Sequence, residues 1–257
     1  MNYKLLMDTA MLAGKLMLQS GAETYRVEDT MHHILKTSDA ETVDVFVTLT
    51  GINASIGIKE MKPITMLRGV ETRSTNLSII EQVNEISRKY CGREIGLEEA
   101  YKQLSDVKGT TYSKWVKMLA PTAVAVGFAA FFGGTIYDVA ATVIIGLLLS
   151  GVMLLGQILA VQDLILDILT ALSVGLFAVM MKSMMGDMIN LDTVIIGSIM
   201  PLVPGVAITN AVRDTLQGDY ISGCARILEA FLKAASIAVG VGVALAIFGP
   251  LLLGGAI

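Results

Sequence analysis

Charge is scarce in this 257-residue sequence: Asp, Glu, Lys and Arg make up 16% of it, against 54% hydrophobic residues and a mean hydropathy of +0.66. Ordinary soluble domains are about 25% charged, so that class is excluded. Only two cysteines occur, Cys91 and Cys224, far apart, and no disulfide framework or paired-cysteine metal motif can be built from them. The two histidines, His32 and His33, are adjacent, which turns them to different sides of a helix and gives neither metal-ligand nor relay spacing. No P-loop, HExxH, CxxC or GxSxG is present, so the sequence predicts no enzyme, no metal and no cofactor. A net charge of −4 without a basic stretch also predicts no nucleic-acid partner.

The charges that exist are unevenly placed. Of the 42 Asp, Glu, Lys and Arg residues, 30 precede Pro121. This predicts a polar α+β domain over 1–114 and an all-α membrane domain over 115–257. Five uncharged or nearly uncharged runs, at about 118–136, 139–160, 164–185, 191–212 and 227–253, match the roughly 20 residues a helix needs to cross a bilayer. Basic residues favour the cytoplasmic side, and 15 of the 19 Lys and Arg lie before Pro121. The expected arrangement is a multi-pass protein of the cytoplasmic membrane with its N-terminus in the cytoplasm and, after five spans, its C-terminus outside.

Within the polar domain the N-terminal segment carries Asp8 and Lys15 through its apolar part, which fits a helix of the mature fold better than a targeting segment. Ser20-Gly21-Ala22-Glu23 has the spacing of a capping box and predicts a second helix starting there, with Val27, Met31, Ile34 and Leu35 on its buried side. Val43, Val45, Val47 and Leu49 alternate with Asp44, Phe46, Thr48 and Thr50, the period of a strand. Gly51-Ile52-Asn53 is the predicted turn before a second strand, and Ile64 to Val70 forms a third. Helical spacing returns at Leu77 to Tyr90 and at Leu97 to Val107.

The stretch 201–229 carries the densest signal. Pro201 and Pro204 lack N–H groups and remove helix bonds to the carbonyls of Gly197 and Met200 in a run apolar enough for lipid, so the fourth span should break and its break should face inward. Pro204 suits the first turn of a restarted helix, and Gly205 permits close approach of backbone or ligand. A helix N-terminus in such a place can hold an anionic group. Thr209 and Asn210 are placed one turn on to add hydrogen bonds, and Arg213 or Arg226 to attract an anion. Asp214 or Asp167 are the candidate proton carriers. Arg226, Glu229 and Lys233 share one stripe and can also pair among themselves. In the polar domain Glu23 and Arg26 are spaced as a helix-surface pair beside Gly21 and Glu28.

Three segments, GAETYRVEDTM (Gly21 to Met31), the FGG-xxx-D turn (Phe132 to Asp138) and PGVAITNAVRDTLQGDYISGCARILEA (Pro204 to Ala230), give the chain its resemblance to the threonine/serine exporter family, specifically its N-terminal half. That half also occurs as a separate subunit of paired transporters proposed to export succinate. The resemblance implies a cytosolic domain followed by five transmembrane helices, and secondary export of a small polar carboxylate-bearing metabolite. It also gives Gly21, Glu23, Arg26 and Glu28 the standing of a family motif. Fused members continue with about five more helices, so a separately encoded membrane subunit is the expected partner, with a homo-oligomer as the other possibility. Two other classes stay open: an integral-membrane enzyme, and a membrane-anchored assembly or sensor protein acting through the polar domain.

Overall fold

The computed structural model describes residues 1–59 and 61–254. The chain packs as two compact units, one of Met1–Thr111 with Val206–Ile227, the other of Tyr112–Gly205 with Leu228–Ile257. The first therefore adds Val206–Ile227 to nearly all of the stretch expected as a polar domain.

The element order of the first unit is α1 (Tyr3–Gln19), α2 (Thr24–Leu35), β1 (Thr42–Thr48), β2 (Gly51–Gly57), β3 (Ile64–Gly69), α3 (Leu77–Cys91) and α4 (Leu97–Asp106). Helix, helix, three strands, helix, helix is the expected order. The strands form an antiparallel meander, β1-β2-β3, in which Val47 pairs with Ile52 and Ala54 with Met66. Ile52, Ala54 and Ile56 face inward against Leu6, Met17, Met31 and Leu35, so α1 is a core helix of this fold.

Two local expectations are corrected. The β1–β2 turn falls on Leu49 and Thr50, not on Gly51 to Asn53, because Ile52 already belongs to the inward row of β2 and Gly51 pairs with Thr48. Ser20 is not the N-cap of α2; it caps the C-terminus of α1, and Gly21 follows with φ +84, a left-handed conformation that ends helices. A Cβ at Gly21 would also lie 3.3 Å from the Ser74 carbonyl oxygen. Glu23 is the N-cap residue of α2 but supplies no side-chain cap.

The second unit is helical. It contains α5 (Lys114–Phe131), α6 (Ile136–Ile158), α7 (Asp163–Met185) and α8 (Leu191–Ile199); α9 (Gly205–Leu216) opens at its edge, and it takes α10 (Tyr220–Leu253) from Leu228 onward. Thr135 caps α6 and Asp138 returns the bond to the Thr135 N–H, a full capping box, while Asp138 also accepts from the Asn190 N–H at 2.7 Å. Its core gathers Ile145, Leu149, Val174 and Val194.

Five spans were expected. Among the described residues, three helical segments are long and apolar enough to cross a membrane, Ile136–Ile158, Asp163–Met188 and Tyr220–Leu253, and Leu191–Leu202 with Gly205–Leu216 forms a fourth bent by 58°. Helix α5 has 18 residues and opens with Lys114 and Lys117, which leaves its apolar part short of the roughly 20 residues of a full span. The bend falls where the prolines are. Its two exposed carbonyls are recaptured by tight-turn bonds, Met200 N–H to Gly197 O and Val203 N–H to Met200 O, so the break leaves neither unsatisfied.

Candidate functional site

The left-handed turn at Gly21 leaves the carbonyls of Gly21 and Ala22 outside any helix, and side chains from far along the chain meet them. Within the first unit, Asn210 Nδ2 donates to Gly21 O at 3.1 Å and Arg226 Nη2 to Ala22 O at 2.7 Å. Arg226 Nε donates to Asp214 Oδ2 at 2.8 Å, and the other Asp214 oxygen accepts from the Thr24 N–H at 3.2 Å and from the Thr24 hydroxyl at 3.0 Å. Asp214 is wholly buried and the Arg226 side chain is 7% exposed. A turn away, Glu23 bridges two guanidinium groups, Arg213 at 2.7 Å and Arg26 at 3.3 Å.

Local structure explains the placement. Gly218, with φ +90, reverses the chain between α9 and α10, and Asp219 accepts from the Ser222 N–H to start α10. Gly223 lets the two helices close up: a Cβ there would stand 3.2 Å from the Ala211 carbonyl oxygen. Arg226, three residues further along α10, then lies over Asp214. The two helices turn polar groups inward and leave Val212, Leu216, Tyr220 and Ile221 exposed, the reverse of a soluble amphipathic pair.

The structure thus brings together Gly21, Glu23, Arg26, Asn210, Arg213, Asp214 and Arg226. It does not add the rest. Pro204 and Gly205 stand at the head of α9, and Thr209 is exposed. Glu28 is separate, its Oε1 accepting from the Val47 N–H at 2.8 Å. Asp167, Glu229 and Lys233 belong to the second unit, where Lys233 pairs with Asp167 at 3.6 Å. Among the described residues, no three His, Cys, Asp or Glu side chains are grouped as metal ligands.

Comparison with known sequences identifies the family of the chain. The family described as "Putative threonine/serine exporter" matches residues 8–248, nearly the whole chain. The chain belongs to the threonine/serine exporter family. A "Probable threonine/serine exporter" of Mycobacterium tuberculosis is 23% identical over 242 residues, covering 91% of this chain and 45% of that protein. The chain therefore spans less than half the length of that relative. No solved structure matches. Family membership and the apolar helices together make this a multi-pass membrane protein.

Thr24 is the member of this cluster that sequence reasoning missed, along with the carbonyl of Ala22. Both lie inside the GAETYRVEDTM segment, but threonine and a backbone oxygen carry no charge signal. What could have found them is complementarity between two charged motifs 190 positions apart, Glu23 with Arg213 and the GAET turn with Asp214.

The two motif glutamates are shifted in opposite directions. Burial pushes Glu23 up, but its own backbone N–H, the Arg213 hydrogen bond and the charges of Arg26 and Arg213 outweigh it and hold the carboxyl below its ordinary value of 4.5. Burial raises Glu28, with the Val47 N–H opposing and the Asp219 charge reinforcing. Glu23 therefore adds stability that is present above pH 4.5 and lost as pH falls through its lower folded value. Glu28 adds stability that is present below pH 4.5 and lost as pH rises through its raised value. In thermal unfolding of detergent-solubilised protein followed against pH, Glu23→Gln should flatten the acid limb. Glu28→Gln should gain on the parent as pH rises above 4.5.

Proposed function

We propose that the chain is a subunit of a secondary transporter that exports a small polar carboxylate-bearing metabolite, threonine or serine or alternatively succinate, from the cytoplasm. The first unit faces the cytoplasm, and a separately encoded membrane subunit supplies a second set of helices. The observation that carries this reading is the bent pair Leu191–Leu202 and Gly205–Leu216, whose second arm bears Asn210, Arg213 and Asp214. Broken helices with polar groups on one arm are the usual substrate elements of secondary transporters.

Arg213 is the group best suited to meet a carboxylate. Its side chain is 56% exposed and gives one nitrogen to Glu23, which leaves further donors of its guanidinium fork to offer a carboxylate. Export is tested in cells expressing the chain with and without a candidate second subunit, after loading with a threonine-containing dipeptide or with succinate. Partner-dependent efflux of one compound is expected, and Arg213→Gln should reduce it roughly tenfold, the value of a charge-assisted bond. Unchanged efflux of every compound in every combination, with the protein shown in the membrane, rejects the reading.

A second reading has its own observation. Asn210, Asp214 and Arg226 all make bonds to Gly21, Ala22 or Thr24, which suits an assembly or sensor role for the first unit. In that case Arg213→Gln leaves efflux intact.

A further inference from the structure

Beyond the Glu23 cluster, the first unit holds two adjoining cavities that the transport reading does not use. One, of about 610 Å³, lies along α3 and is lined by Glu81, Asn84, Arg88 and Glu94 together with Arg26 of α2. The other, of about 270 Å³, shares Arg26, Asn84 and Arg88 and adds Asp29, Thr30, His33, Ser87 and Cys91. Their common wall is thus a pair of arginines and a carboxamide. Together they fall in the size range of small-molecule sites.

The charges in this groove are of both signs and partly unspent. Arg26 gives one nitrogen to Glu23, and Lys89 is paired with Glu85 at 2.6 Å. The side chains of Glu81, Asn84 and Arg88 have no hydrogen-bond or ion-pair partner among the described residues. A guanidinium fork matches a carboxylate in two parallel bonds, and a free glutamate beside it matches an ammonium group. A pure anion would satisfy the arginines and be repelled by Glu81 and Glu94; a pure cation would meet the reverse.

We propose that this groove between α2 and α3 binds a free α-amino acid as its zwitterion, with the carboxylate on Arg88 and Arg26 and the ammonium group on Glu81. It is a site separate from the path of the exported molecule, and the choice of threonine as its first probe rests on the exporter reading. Arg26 is shared with Glu23, which in turn holds Arg213, so an occupant of the groove reaches the cluster that carries α9.

Cys91 is the reporter. It lines the smaller cavity, and Cys224 is the other cysteine of the chain, so full-length Cys224→Ser protein in detergent carries one thiol. Its rate of alkylation by a maleimide is followed against threonine, serine, succinate and N-acetylthreonine. A ligand at ten times its dissociation constant slows reaction at a blocked thiol about tenfold by mass action. Threonine or serine should produce that slowing, succinate and N-acetylthreonine should not, and Arg88→Ala and Glu81→Gln should each abolish it. Labelling unchanged by either amino acid overturns the site, as does slowing that persists in Arg88→Ala. Equal protection by succinate overturns the zwitterion assignment. Labelling is measured without transport: efflux with no protection removes this site and leaves the exporter reading standing, whereas protection without efflux supports the site and removes that reading.

Discussion

Asp214→Ala should cost about 3–5 kcal/mol of stability, because it strands a buried guanidinium whose other contacts are fixed. Arg226, whose side chain is 7% exposed, loses the one side-chain acceptor its Nε has among the described residues, and Thr24 loses the oxygen that receives both its N–H and its hydroxyl. The expected result is a large fall in the amount of protein recovered from membranes and in its unfolding midpoint in detergent. Asp214→Leu with Arg226→Leu should recover part of the loss, since it removes both charges, but not all of it, since Thr24 and the Ala22 carbonyl stay unpartnered. A single variant as stable as the parent would show that the pair is solvated in the membrane. For function the consequence is practical. Lost efflux in Asp214→Ala reports folding first, which is why the half-exposed Arg213 is the better probe of substrate contact.

Gly240→Leu should be the most damaging glycine substitution tested in the second unit. A Cβ at Gly240 would press on the Ile168 carbonyl oxygen and stand 2.8 Å from Ala171 Cβ, and one at Gly175 would stand 2.6 Å from Ala244 Cβ. Gly240 and Ala244 on α10, and Ala171 and Gly175 on α7, are thus small residues four apart on facing helices, the arrangement that lets membrane helices approach closely. A leucine there forces the helices apart at a cost of about 1–3 kcal/mol or more and sets Lys233 away from Asp167. Gly242→Leu is the control: nothing lies within 4 Å of a Cβ at Gly242. Gel filtration and thermal unfolding should separate the two variants, Gly240→Leu aggregating or melting early and Gly242→Leu behaving as the parent. Equal behaviour would mean that α7 and α10 do not pack through these residues.

Much of this was legible in the sequence where the signal is local. Periods of two and of 3.6 residues gave the order of elements in the first unit, and two prolines marked the bend of the fourth apolar segment. Local signals also misled. Ser20 and Glu23 have capping-box spacing, but Gly21 takes a left-handed conformation and ends α1 there. Gly51 looked like a turn, but the inward row beginning at Ile52 had the stronger claim on register. The candidate site was half legible. Its charged members stood out as costly residues in apolar surroundings, whereas their assembly around the Gly21 turn depends on contacts about 190 residues apart that no periodicity records.

The most direct test of the exporter assignment is flux through purified protein. The chain, shown folded, is reconstituted into vesicles alone and with a candidate second subunit, and release of internal labelled threonine, serine or succinate is timed. The account predicts saturable release of one of these in the paired vesicles, weakened by Arg213→Gln and retained by Gly242→Leu. Release no faster than from protein-free vesicles, with either composition and all three compounds, would contradict it.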